Sequence, residues 1–295
     1  MNLDIVLGSA VVGLLVGLTG AGGGALMTPM LILLFSVKPS AAISSDLVAA
    51  VVMRPFGSAV HFRRGTVNVR MVLWIAAGAV PSAFAGAYLL HLLGNTKSAT
   101  GNVETALGIA LLLGAAAMAV RAALDRLAGQ RREAAVHDVT VRPLPTVCVG
   151  IVGGVIVGMT SVGAGSLMIV LLMFLYPTLG AKQLVGTDLT QAIPLTAAAA
   201  LGALAFGHVE LPVTGSIVAG AVPAVLVGSL LSSRVSDRLL RPAIGVVIFA
   251  SGLKYVGVDP TTLAWIVGLV LAAMAVTGIV SLQRRGTMGA ARSPL

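Results

Sequence analysis

The chain has 295 residues, of which 57% are hydrophobic and only 10% charged, with a mean hydropathy of +1.02. A soluble domain carries about 25% charged residues and needs them to cover its surface, so this composition excludes a cytosolic enzyme, a disordered chain and a disulfide scaffold, and it reads as a polytopic membrane protein. The net charge of +9 fits cytoplasmic loops that collect Lys and Arg better than a nucleic-acid partner, since no basic run carries interleaved aromatics.

Apolar runs at 3–36, 41–62, 67–93, 102–121, 145–176, 184–206, 212–231, 238–256 and 261–281 predict membrane helices. Most have the roughly 20 residues that a helix needs to cross a bilayer. The opening Met1-Asn2-Leu3-Asp4 has no basic leader region, so the first run reads as a retained membrane segment. Cys148 is the single cysteine and excludes an intramolecular disulfide. Runs 3–36 and 145–176 are too long for one crossing, and glycines interrupt both. Gly20-Ala21-Gly22-Gly23-Gly24 breaks the first and Gly163-Ala164-Gly165 the second. The arm Ala25–Ser36 has 12 residues, which reach only about 18 Å against a hydrocarbon core of about 30 Å. A re-entrant hairpin or a pair of broken helices fits better than two full crossings. Irregular backbone at membrane depth is tolerated where protein or a water-filled cavity surrounds it, so the glycine tips are expected to line a cavity.

The two broken runs are copies of one another. With an offset of 141, residues 13–27 match 154–168 at eight of fifteen positions, among them Gly17/Gly158, Thr19/Thr160, Gly22/Gly163 and Gly24/Gly165. With an offset of 142, Asp46-Leu47 pairs with Asp188-Leu189, and Gly78-Ala79-Val80-Pro81 with Gly220-Ala221-Val222-Pro223. Chance apolar similarity does not keep Asp, Pro and Gly in register over such a length, so the chain carries an internal duplication. Charge then orients it. If each broken run enters and leaves on one side, fifteen of the nineteen basic residues fall in cytoplasmic loops, including Arg63, Arg64, Arg70, Lys182 and those of the linker and tail. Lys38, Lys97 and Lys254 fall outside, and Arg54 falls within a span. Single crossings would put Arg234, Arg238 and Arg241 outside, against the positive-inside rule. The repeats are then inverted, as in many secondary transporters.

Gly20 to Ala25 also fits the dinucleotide pattern G-x-G-x-x-[GA], but that motif needs a preceding strand, and here an apolar helix precedes it. Bare backbone N–H groups near a helix N-terminus can instead face an anion; tight packing at a turn is the other use of such glycines. Asp46 and Asp188 lie near the starts of paired runs. They read either as helix-cap or first-turn charges or as carboxylates bordering an ion pathway. Glu104 reads as a first-turn charge. Arg54 lies deep in run 41–62, where a charge costs about 3 kcal/mol and usually faces an interior or aqueous cavity. Its copy position is Thr196, so it breaks the pseudo-symmetry.

The run from Gly17 to Gly24 followed by Pro29, the Ser44-Ser45-Asp46 segment, Gly65-x-Val67, and their second copies at Gly158 to Gly165 and Val185 to Asp188 together resemble the sulfite exporter TauE/SafE family, also called the 4-toluene sulfonate uptake permease family. The resemblance covers nearly the whole chain. It implies transport of sulfite, organosulfonates or other sulfur-containing or carboxylate anions across the inner membrane. The second tip has Ser161 and Ala164 where Gly20 and Gly23 stand in the first.

The expected fold is therefore an all-α integral membrane protein with two inverted repeats carrying glycine-broken or re-entrant helices. Repeat one is expected at 1–121, a basic cytoplasmic linker at 122–144, repeat two at 145–256, and a last helix with a basic tail at 257–295. The expected function is transport of a small anion by alternating access, with no cofactor and no catalytic or metal site. Substrate ligands are expected from Thr19, Gly20, Gly22, Gly23, Gly24, Arg54, Thr160, Gly163 and Gly165, and ion coupling, with protons as the candidate ion, from Asp46 and Asp188. The alternative is a permease for a cation or neutral solute that uses Asp46 and Asp188.

Overall fold

A computed structural model describes residues 1–19, 23–63, 65, 67–94, 99–128, 140–231, 237–270 and 272. Among these residues every regular element is a helix. In chain order they are α1 (Leu3–Thr19), α2 (Gly24–Phe35), α3 (Pro39–Arg63), α4 (Val69–Gly94), α5 (Ala99–Ala128), α6 (Pro143–Thr160), α7 (Leu167–Leu175), α8 (Ala181–Phe206), α9 (Leu211–Leu231) and α10 (Asp237–Tyr255). A further helix, α11, covers Pro260–Val270. Five stretches, in α4, α5, α6, α8 and α9, are long and apolar enough to cross a membrane. Leu73, Phe84, Leu204 and Leu230 are exposed on their outer faces, which suits hydrocarbon rather than water.

The two long runs break where glycines interrupt them. α1 has 17 residues and α2 has 12, and α2 folds back along α1, so that Gly8 lies against Met30 and Phe35. α6 and α7 make the corresponding hairpin, with Gly153 against Met168. Gly163 and Gly165 sit in the second break at φ +111° and +104°, a region that residues with a Cβ rarely adopt. Gly20 and Gly22 of the first break lie outside the described residues.

The halves interlock. α1 runs parallel to α9 of the other half, and α6 runs parallel to α4. A Cβ added at Gly17 would lie 2.4 Å from the Val225 carbonyl oxygen, and one at the equivalent Gly158 would lie 2.1 Å from that of Ala83. Glycines answer from the partner helices, Gly220 against Val6 and Gly78 against Val147. Small residues let backbones approach this closely where lipid offers no hydrophobic driving force. Gly158→Leu is therefore expected to cost about 1–3 kcal/mol through overpacking and to lower the melting temperature of the detergent-solubilised protein. An unchanged melting temperature would show that α6 and α4 do not depend on this contact.

The equivalent helices α3 and α8 run antiparallel. The Glu210 N–H donates to Ser45 Oγ at 3.1 Å, the Ser58 and Thr190 hydroxyls share a hydrogen bond at 3.0 Å, and the Asn68 N–H donates to Thr187 Oγ1 at 3.1 Å. Two buried clusters flank this pair. One joins Ile75 and Ala83 of α4 to Val157 of α6, Leu172 of α7 and Leu195 of α8. The other joins Val12 of α1 to Leu31 of α2, Leu111 of α5, Ile217 of α9 and Ile248 of α10. α3 supplies residues to both, Ile43 and Leu47 to the first and Ala42 and Met53 to the second.

Three boundaries bear on the site and differ from the sequence reading. α5 continues to Ala128, through the position where the linker was expected to begin, because Ala, Leu and Arg all favour helix and Arg121 and Arg126 do not stop it. α3 and α8 begin before the apolar runs that mark them, at Pro39 and Ala181. Asp46 and Asp188 consequently sit about two turns inside their helices, and neither α3 nor α8 has an acid in its first turn. The helix-cap explanation of both aspartates is thereby removed. Glu104 likewise lies beyond the first turn of α5.

Candidate site where the two tips meet

Gly24 opens α2 directly against the second tip. A Cβ there would lie 1.9 Å from the Ser161 carbonyl oxygen and 2.7 Å from Ser161 Oγ. The two broken hairpins thus touch backbone to backbone, one from each half of the chain. Gly23, one residue earlier, has room: a Cβ there would meet only Val16 and Met53, at 3.7 and 3.8 Å. Ser161 terminates α6 in the left-handed conformation, at φ 59°.

Both aspartates face this junction and both are buried, 2% exposed at Asp46 and 1% at Asp188. They are held differently. Thr28 of α2 donates its hydroxyl to Asp46 Oδ2 at 3.0 Å. Ser161 Oγ lies beside the same carboxylate without reaching hydrogen-bond geometry. Gln191 donates from Nε2 to Asp188 Oδ1 at 3.0 Å, and the Gly165 N–H is directed at Asp188 from the second tip. Each acid therefore contacts a glycine break: Asp46 reaches the start of the second, and Asp188 its end.

Arg54 links the pair. It is half-buried on α3 and acts electrostatically on both Asp46 and Asp188. Arg121 of α5 adds its charge to the field at Asp188. The copy position Thr196 holds no charge, and its hydroxyl is donated to the Ala192 carbonyl of its own helix. Among the described residues the junction therefore has two acids and one arginine that acts on both.

Thr19 and Thr160 end α1 and α6 beside the breaks. Each donates its hydroxyl to the carbonyl four residues back, at 2.7 Å to Leu15 and 2.6 Å to Ile156. Their protons are committed within their helices, and Thr160 Oγ1 also accepts from the Val162 N–H at 3.2 Å. Sequence reasoning missed Thr28, Gln191 and Ser161 as neighbours of the acids. A signal existed for two of them. Thr28 is a hydroxyl in an otherwise apolar arm, and Gln191 lies three residues after Asp188, on the same helix face.

The chain matches the family described as sulfite exporter TauE/SafE over residues 5–255. It is 39% identical over 257 residues to "Probable membrane transporter protein YjnA" of Bacillus subtilis (strain 168), covering 87% of this chain and 100% of that protein. It is 24% identical over 250 residues to "Probable membrane transporter protein YdhB" of the same organism, covering 84% of this chain and 98% of that one. No solved structure matches it. The chain belongs to the TauE/SafE family of membrane transporters.

Proposed function

We propose that the protein carries a small anion, such as sulfite, an organosulfonate or a related sulfur-containing or carboxylate anion, across the inner membrane by alternating access. The observation that carries this reading is the meeting of the two glycine breaks at Gly24 and Ser161 between two buried aspartates and Arg54. Broken helices that converge at a repeat interface are where secondary transporters hold substrate. The anion is held by backbone N–H groups of the tips, from Gly20, Gly22, Gly23 and Gly24 on one side and Gly163 on the other, with Arg54 supplying charge, while the Gly165 N–H orients Asp188. Thr19 and Thr160 keep the last turns beside the tips closed. Antiparallel α3 and α8 support inverted repeats, and rocking one half against the other around the junction would alternate access.

Charge counting supports proton coupling. With both acids ionised the junction already holds two carboxylates against one central arginine, so an incoming anion adds a further negative charge in a low-dielectric setting, where an unpaired charge is costly. A proton taken up by either aspartate offsets it. Uptake by proteoliposomes of sulfite, alkanesulfonates and small carboxylates, set beside monovalent cations and neutral solutes, tests the reading. Uptake confined to anions is expected. The excess of buried carboxylate over central arginine favours the second reading, a cation or neutral-solute permease using Asp46 and Asp188, and uptake confined to cations or neutral solutes would establish that one.

The chain direction that follows from the two hairpins, combined with the basic residues, supports a periplasmic N-terminus with a cytoplasmic linker and tail. A cysteine at Ala134 in a Cys148→Ala background is expected to resist an impermeant thiol reagent in intact cells and to react after lysis. Labelling in intact cells would reverse the orientation.

A further inference from the structure

Ser161 closes α6 through its backbone, whose N–H donates to the Val157 carbonyl, but that cap makes no use of its hydroxyl. Its backbone is left-handed, at φ 59°, a conformation that favours glycine, and its copy position in the first tip is Gly20. The residue is 1% exposed, yet its Oγ has no hydrogen-bond partner. Leaving a buried hydroxyl unpaired is costly, and such groups in native proteins mark function or a missing ligand. The hydroxyl lies beside Asp46, whose Oδ2 already accepts from Thr28, and on the tip that carries Gly163 and Gly165.

We infer that Ser161 couples the proton on Asp46 to the anion. A hydroxyl has one proton to donate. While Asp46 is ionised, a small rotation lets Ser161 donate to it. Once Asp46 takes a proton it no longer requires that donor, and the Ser161 O–H turns to the anion at the tips. No covalent bond is made or broken apart from the transfer of one proton between water and the Asp46 carboxylate. Arg54 on α3, Asp188 on α8 and, through Asp188, Arg121 on α5 face the same region, and their charges set the field in which the exchange occurs. This inference rests on the proton-coupled anion reading above and adds to it the side chain that ties the two ligands together.

Ser161→Gly is the direct test, because glycine accepts the left-handed backbone better than serine and already stands at the first tip's equivalent position. The probe is labelled ethanesulfonate, whose own charge does not change between mildly acid and neutral pH. Its KM is measured in proteoliposomes at both pH values. The wild type is expected to bind it more tightly at acid pH. In Ser161→Gly the KM at acid pH should rise about tenfold, equivalent to one lost hydrogen bond to a charged group, and the difference between the two pH values should shrink. Ser161→Ala, which keeps the Cβ but not the hydroxyl, should behave alike. A KM with wild-type pH dependence in both variants would overturn the inference and leave anion transport standing. A fall in maximal rate alone would assign Ser161 a structural role and likewise overturn it. Failure of the wild type to take up ethanesulfonate at either pH would overturn the anion reading and this inference together.

Discussion

Gly24→Val is expected to reduce anion uptake to background, whereas Gly23→Ala keeps most of it. The two glycines are neighbours, and the contrast follows from what each would touch. At Gly24 even one added carbon would lie 1.9 Å from the Ser161 carbonyl oxygen, so the tips must part by about 1 Å or more to restore van der Waals distance. Overpacking of this kind costs about 1–3 kcal/mol, and valine adds two further methyl groups to it. A parting of the tips also disturbs Thr28 on α2, which holds Asp46. At Gly23 the nearest atoms are methyl groups of Val16 and Met53 beyond 3.5 Å, and alanine fits. Uptake by the two variants, normalised to membrane-inserted protein, checks this. Equal activities would mean that the tips need not touch during the transport cycle.

Asp46→Asn is expected to abolish accumulation driven by a pH gradient while sparing exchange of anion across the membrane, whereas Asp188→Asn keeps part of that accumulation. Asparagine is nearly isosteric with aspartate, and its carbonyl can still accept from Thr28 or Gln191, so the local hydrogen bonds survive. What is lost is the charge and the site for a proton. Both activities are read from one proteoliposome preparation, one with an imposed pH gradient and one with equal anion on both sides. Unchanged gradient-driven accumulation in both variants would leave the aspartates as structural groups. The anion would then move by some other coupling or down its own gradient.

Several parts of this arrangement are legible in the amino-acid sequence because they depend on local chemistry. Glycines that interrupt runs 3–36 and 145–176 mark the breaks, since apolar helix otherwise continues. The register of Asp46 with Asp188 marks the duplication, since polar residues in apolar runs are informative. The depth of the acids was harder to see. Apolar runs mark where hydrocarbon begins, not where the helix begins, and Pro39 and Ala181 start α3 and α8 outside the runs. The two readings of each aspartate could therefore not be separated until the helix starts were known. The contact between Gly24 and Ser161 was not legible at all. It joins residues far apart in the chain through close approach of two backbones, and no periodicity records it. The same holds for Arg54, whose depth in its run was visible but whose joint action on Asp46 and Asp188 depends on how α3 lies against α8.

A single cysteine at Ala164, in a Cys148→Ala background, measures most directly whether the junction is the anion site. Ala164 lies between Gly163 and Gly165 in the second tip and is 4% exposed. Alternating access to a site between the tips predicts that impermeant thiol reagents reach this cysteine from either face of the membrane. It also predicts that the transported anion suppresses labelling from both faces, half-maximally near its KM. Labelling that saturating anion leaves unchanged would contradict binding at the tips.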